Sequence, residues 1–242
     1  MPGLLLAEAR EPHIGTLDID LALDFQRLPE TSYATLVRAL TGRGYRQDPQ
    51  QPFRFFREVP VRDRPPIVEV DLLAGEYGGT GSGHRTQPVQ DARARKARGC
   101  DLAFANPHTV TIEGELPGGG RLSVTCRVAA IVPWLVMKGM ALADRLKEKD
   151  AYDIYYTAHV YAGGPVRLAE EFRPHFGHAL VREGLAKIRA KRRTPEDAGP
   201  RWVADFLGET DPEARAILQR RVYEEITAWL DPLGVEPWQT PG

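Results

Sequence analysis

Two aspartates separated by one residue, Asp18 and Asp20, stand in the stretch Gly15-Thr16-Leu17-Asp18-Ile19-Asp20-Leu21-Ala22-Leu23. Leu17, Ile19, Leu21 and Leu23 fall on one parity and Asp18, Asp20 and Ala22 on the other. That alternation predicts a half-buried strand whose open face carries both carboxylates side by side. Carboxylates held that close repel each other unless a proton or a cation lies between them. A divalent metal is the commonest answer. Magnesium, a hard ion, takes oxygen ligands from one or two carboxylates together with substrate phosphates and water. The competing reading is an acidic, solvated strand face.

A third acid sharpens the pattern. In Ile67-Val68-Glu69-Val70-Asp71-Leu72-Leu73 the apolar residues Val68, Val70 and Leu72 share one parity, and Glu69 and Asp71 the other. Placed beside the first strand, this segment brings Asp71 to the face of Asp18 and Asp20. Three carboxylates can hold two metals about 4 Å apart, the clamp used for in-line displacement at phosphorus. Glu69 competes for the role; Asp71 is preferred because it lies nearer the strand end, where loops admit a ligand.

A second set follows in the helical half. Lys138 has Val136, Met137, Gly139 and Met140 as neighbours, and Lys149-Asp150-Ala151-Tyr152-Asp153-Ile154-Tyr155 opens the next helical pattern. A lysine in apolar company points its ammonium into a site where it can meet a polyphosphate, or else snorkels from a helix flank. Asp150 and Asp153 are three apart and share a helix face. Asp150 also suits an N-cap or first-turn acid; Asp153 lies beyond the capping positions.

The elements that must position these residues read as follows. Tyr33, Leu36, Val37 and Leu40 predict an amphipathic helix that stops at Gly42–Gly44. Phe53–Val59 reads as a strand antiparallel to the one carrying Asp71. Gly75–His84 lacks the Lys-Ser/Thr ending of a P-loop and reads as a surface loop, with His84 solvated. The basic cluster Arg93–Arg98 is a solvated face or a grip on a nucleic-acid backbone. Thr109–Glu113 and Arg121–Cys126 flank Pro117–Gly120 as a hairpin. Helices are predicted over Pro133–Lys147, Asp150–Tyr161, Leu168–Ile188, Val203–Leu207 and Ala214–Leu230. Lys187–Arg193 is a second basic run, read as solvated, and 194–200 reads as a loop.

The 242 residues, 42% hydrophobic and 27% charged, support a normal packed core. Strands crowd the first half and helices the second. This predicts an α/β (α+β) chain in which residues 1–130 form a mixed-sheet core with flanking helices and 131–242 a helical domain that completes the site. A formal net charge of −1 leaves any nucleic-acid contact to local basic patches. The two cysteines, Cys100 and Cys126, have neither CxxC spacing nor disulfide-scaffold density, so a reducing cytoplasm is expected. No apolar run approaches the roughly 20 residues of a membrane span, and Leu4–Leu6 is too short for a signal-peptide core.

Taken in order, the Gly15–Leu21 strand, Asp71, Lys138 and the Lys149–Asp153 segment resemble the AbiEii/AbiGii-type nucleotidyltransferases of the polymerase-β-like superfamily, over residues 13–160. The resemblance implies a mixed sheet with flanking helices and a C-terminal helical domain. It implies two Mg2+ ions on Asp18, Asp20 and Asp71, and a nucleoside triphosphate as substrate with its phosphates near Lys138. Catalytic roles then go to Asp18, Asp20, Asp71, Lys138 and Asp153, and nucleotide-binding roles to Gly15, Thr16, Lys138 and Asp150. The family includes toxins of toxin–antitoxin and phage-defence pairs, some acting on tRNA. An RNA or protein acceptor and an antitoxin partner are therefore implied, and no membrane.

The chain departs from the pattern at its start. The family carries a helix with Gly-Gly or Gly-Ser about ten or more residues before the acidic strand, whose N-terminal amides hold the triphosphate. Here Met1–Leu6 offers one glycine and no serine, and Gly15-Thr16 lies too close to the strand to replace that piece. The expectation is either a start codon further upstream or a weakened nucleotide cradle. In the second case the chain is a catalytically weakened nucleotide- or partner-binding module.

Overall fold

The computed structural model describes residues 2–6, 9, 11–24, 30–60, 65–75, 86–89, 92–116 and 119–239. The elements, in chain order, are α1 (Pro2–Leu5), β1 (Asp18–Leu23), α2 (Glu30–Gly42), β2 (Arg46–Gln47), β3 (Arg54–Glu58), β4 (Ile67–Ala74), β5 (Thr86–Val89), β6 (Ala92–Lys96), β7 (His108–Glu115), β8 (Arg121–Val128), α3 (Ile131–Arg145), α4 (Glu148–Val160), α5 (Gly164–Phe172), α6 (Ala179–Ala190), α7 (Ala198–Phe206) and α8 (Pro212–Leu230). The chain is mixed α/β, with a mixed main sheet and a second, two-stranded one. It divides into two units, one of Ile14–Ala129 and one of Met1–His13 with Ala130–Gly242. The first thirteen residues thus go with the helices and not with the sheet core of 1–130. The reason is local: Tyr156 donates its hydroxyl to the Glu11 carbonyl at 2.5 Å, and the His13 ring lies against Tyr152 and Tyr156.

In the sheet unit β4 is the hub. The sheet runs β2-β3-β4-β6-β5, with β1 joined to β4. β1 is parallel to β4 over 69–74, β3 is antiparallel to it over 67–71, and β6 is parallel to its last two residues. Leu23, Phe55, Val70, Leu72, Ala74 and Ala94 form one buried apolar face, on which Leu36, Val37 and Leu40 of α2 pack. Burial of about 25 cal/mol per Å² of apolar surface on that side fixes the register, because a one-residue slip would turn every side chain over. The cover reaches only part of β1: Leu21 and Leu23 lie under it, whereas Leu17 and Ile19 are 54% and 46% exposed. β5 and β6 were not expected; the basic cluster supplies a strand whose Ala94 is fully buried. The glycine-rich stretch 76–85, with His84, lies outside the described residues. At its threshold a Cβ on Gly75 would sit 1.8 Å from the Asp101 carboxylate, so any other residue there must displace that side chain.

In the helical unit α3 and α6 pass so closely that a Cβ on Gly139 would stand 2.3 Å from the Gly184 carbonyl oxygen. The single helix expected over Leu168–Ile188 is two, α5 and α6. Between them lies a 3-10 turn at Arg173–His175, where Pro174 cannot continue the hydrogen-bond ladder. Helix α7 begins at Ala198, inside the segment expected to be loop, and places Pro200 in its first turn, where a missing N–H costs nothing. Among the described residues no helix is long and apolar enough to cross a membrane.

Candidate functional site

The parallel register of β1 and β4 sets Asp20 directly across from Asp71, and Asp18 across from Glu69. Neighbouring strands lie about 4.8 Å apart and in-register side chains share a face. Asp18, Asp20, Asp71 and the competitor Glu69 therefore stand together on the face opposite the apolar one. Asp18 and Asp20 are exposed and Asp71 is buried, at 7% exposure. The antiparallel register of β3 puts Arg54 across from Asp71 on the other flank, and β6 adds Arg95.

Arg54, unassigned in the sequence reading, and Arg95, read there within a solvated or nucleic-acid-gripping cluster, take hold of the acids. Arg54 grips Asp71 through both oxygens, Nε to Oδ1 at 2.8 Å and Nη2 to Oδ2 at 3.0 Å. Its Nη1 reaches Glu69 at 3.1 Å. Arg95 lies 3.4 Å from the Asp71 Oδ2 and 3.7 Å from the Asp20 Oδ1. The fork on Asp71, helped by Glu69 and Asp18 and opposed by burial, raises the affinity of the Arg54 guanidinium for its proton. Among the described residues no group of three or more acidic, histidine or cysteine side chains is arranged as a metal cage; Asp71 is turned towards guanidinium groups. Gly15 takes the left-handed backbone at φ +94°, and the Thr16 hydroxyl accepts the Asp18 amide at 3.1 Å. Both thus shape the entry to β1. Burial, with Asp101 and Asp20 adding to it, pushes the Cys100 thiol up to about 12 and so disfavours its thiolate.

In the helical unit the structure brings Lys138, Asp150 and Asp153 together. The Lys138 ammonium donates to Asp150 Oδ1 at 2.7 Å and lies 2.6 Å from Asp153 Oδ2. It also sits over the Trp134 ring. Asp150 receives the Arg145 fork at 2.8 and 3.0 Å. Asp153 takes Lys149 at 3.2 Å and the His13 ring Nε2 at 2.9 Å. Both acids are almost fully buried. Asp150 lies in the first turn of α4, but its carboxylate serves Lys138 and Arg145, and no side chain caps the helix. Burial alone would raise both carboxyls and lower the ammonium. The opposite charges outweigh it, so Asp150 and Asp153 are held below the usual carboxylate range and Lys138 above the usual lysine range. Arg145 and His13 were missed: an arginine at a helix end and a lone histidine 140 residues from its partner leave no local signal.

No family model, curated protein or solved structure matches this chain.

Proposed function

We propose that the protein is a magnesium-dependent nucleotidyltransferase that moves a nucleoside monophosphate from a nucleoside triphosphate to a hydroxyl acceptor. The observation that carries the reading is the β1–β4 register, which aligns Asp20 with Asp71 and sets Asp18 beside them on one open face. The donor set suits the ion: Asp18 and Asp20 offer hard oxygen ligands at an exposed position, the kind that magnesium takes. Magnesium, when bound, supplies positive charge to the phosphates during in-line displacement.

In the reaction the acceptor oxygen forms a bond to the α-phosphorus, the bond from that phosphorus to the bridging oxygen of the β-phosphate breaks, and pyrophosphate leaves. The acceptor proton goes to a carboxylate of the Asp18, Asp20 and Asp71 set. Lys138, in the helical unit, is assigned to phosphate charge. Asp150 and Asp153 hold its ammonium in place and keep it charged. The acceptor is an RNA end, a protein hydroxyl or a small molecule; restraint by an antitoxin partner belongs to the same chemistry. A second reading, a nucleotide- or partner-binding module with weakened catalysis, is favoured by one observation, the Arg54 fork that engages both oxygens of Asp71.

The test is incubation of the purified chain with each α-labelled triphosphate, Mg2+ and total RNA or protein. Label transferred by the wild type and lost in Asp20→Asn, with the circular dichroism of the two proteins equal, is the expected result. Nucleotide binding without transfer selects the second reading. Neither binding nor transfer overturns both.

A further inference from the structure

Resting on that reading, we propose that Asp71, the third acid expected to hold a metal, does not fit that role in this chain, because Arg54 supplies the positive charge where a cation on Asp71 would be ligated. Arg54 is thereby a positioning residue, and Asp71 is its anchor and not a metal ligand.

The argument is geometric. A carboxylate binds a magnesium-sized ion at about 2.0–2.1 Å through an oxygen lone pair. Both Asp71 oxygens are engaged instead by a planar fork at 2.8 and 3.0 Å, a strong and directional charge-assisted arrangement. A second guanidinium, Arg95, closes on Oδ2 from another strand at 3.4 Å. Both arginines are fixed by sheet register and not by loops: Arg54 pairs with Asp71 itself across β3 and β4, and Arg95 pairs with Leu73, two residues further along the same face. Asp71 is buried, so the fork cannot be exchanged for water without cost. Arg54 also reaches Glu69, which removes the other acid of β4 from the set.

The two acids on β1 are differently placed. They are exposed; among the described residues Arg95 comes within 3.7 Å of Asp20, and Asp18 adds to the field on Arg54. Positive charge is thus built into the β4 side of the acidic face as guanidinium.

The test uses the full chain and Mn2+, an oxygen-seeking ion whose binding is read directly by electron paramagnetic resonance. Three proteins are titrated: wild type, Asp20→Asn, and the charge-neutral double variant Arg54→Gln/Asp71→Asn. The wild type is expected to bind Mn2+. The double variant is expected to keep that affinity within about threefold, and Asp20→Asn to lose about tenfold or more. A double variant that loses as much as Asp20→Asn makes Asp71 a ligand and overturns the inference, leaving the proposed function in place. A wild type that binds no Mn2+, or an Asp20→Asn protein that binds as well as wild type, overturns both. Should the double variant fail to fold, anomalous scattering from wild-type crystals grown with Mn2+ and a non-hydrolysable triphosphate decides. One peak beside Asp18 and Asp20 with the fork closed is expected; a peak within ligand distance of Asp71 refutes it.

Discussion

Replacing Lys138 by methionine separates a buried ion network from a surface ornament, and the outcome can be worked out from its partners. Removing one member of a buried ion pair costs about 3–5 kcal/mol when the other is stranded. Neither acid is stranded here: Asp150 keeps the Arg145 fork, and Asp153 keeps Lys149 and His13. The expected cost is therefore about 2 kcal/mol, a fall in Tm of about 8 °C for a unit of this size. A cycle with Asp153→Asn is expected to give a coupling of about 1–2 kcal/mol. The pH dependence is the sharper measurement. Folding lowers the proton affinity of Asp150 and Asp153, so the wild-type advantage is fully present above about pH 4 and is lost as pH falls through their lowered folded values. Folding raises that of Lys138, so the advantage persists up to about pH 10.5 and is lost only as pH climbs through the raised value. Denaturant melts of both proteins at pH 3, 5, 7 and 9 check this. An advantage absent at pH 7, or one that grows on acidification, would refute the network as the source of stability.

Three further outcomes follow from the packing. Gly139→Ala drives a Cβ into the Gly184 carbonyl and is expected to cost about 1–3 kcal/mol in chemical melts; Gly42→Ala, at the end of α2 with open space around it, is expected to be neutral or slightly stabilising. Arg192 is 1% exposed, donates to the Ala151 carbonyl, leaves Nε and Nη1 without a partner among the described residues, and is pushed down to about 9 by burial. At neutral pH the guanidinium is charged and only partly paired, so Arg192→Met is expected to be neutral or stabilising by about 1 kcal/mol in chemical melts at pH 7. Alkylation at pH 8 followed by mass spectrometry is expected to modify half-buried Cys126 and to spare Cys100, which has no exposed surface, until the protein unfolds.

Much of the sheet was legible because a period of two reports directly on which way side chains point. The alternations in 17–23 and 67–73 assign Asp18, Asp20 and Asp71 to polar faces whatever the strands pair with. The pairing itself is a contact across fifty residues of chain, and only tertiary structure reveals that Asp20 meets Asp71. Arg54 was half legible: it alternates with Phe53 and Phe55, so its polar side was on view, but its partner depended on register. β5 and β6 left no apolar alternation to read; β6 is recruited by the end of β4, where Ala94 needs burial and Arg95 an acid. In the helical half the i, i+3 spacing of Asp150 and Asp153 was plain. The split of α5 from α6 hung on Pro174 and Gly177 inside an otherwise continuous apolar pattern, and the opening of α7 on a Gly-Pro pair that also reads as loop.

The two clusters differ in how their charges close, and the difference bears on what they are for. On the acidic face, among the described residues, four carboxylates, Asp18, Asp20, Glu69 and Asp71, face two guanidinium groups, so negative charge is in excess there. In the helical unit three cations, Lys138, Arg145 and Lys149, surround Asp150 and Asp153, and Arg145 and His13 make further contacts besides. Networks kept for stability alone gain most by closing on zero, since each uncompensated charge pays desolvation with no partner to return it. Under the proposed function a divalent cation discharges the excess on the acidic face. High salt should therefore weaken nucleotide binding more than it weakens the fold, because the internal pairs are largely shielded from solvent ions and the leftover charges are not.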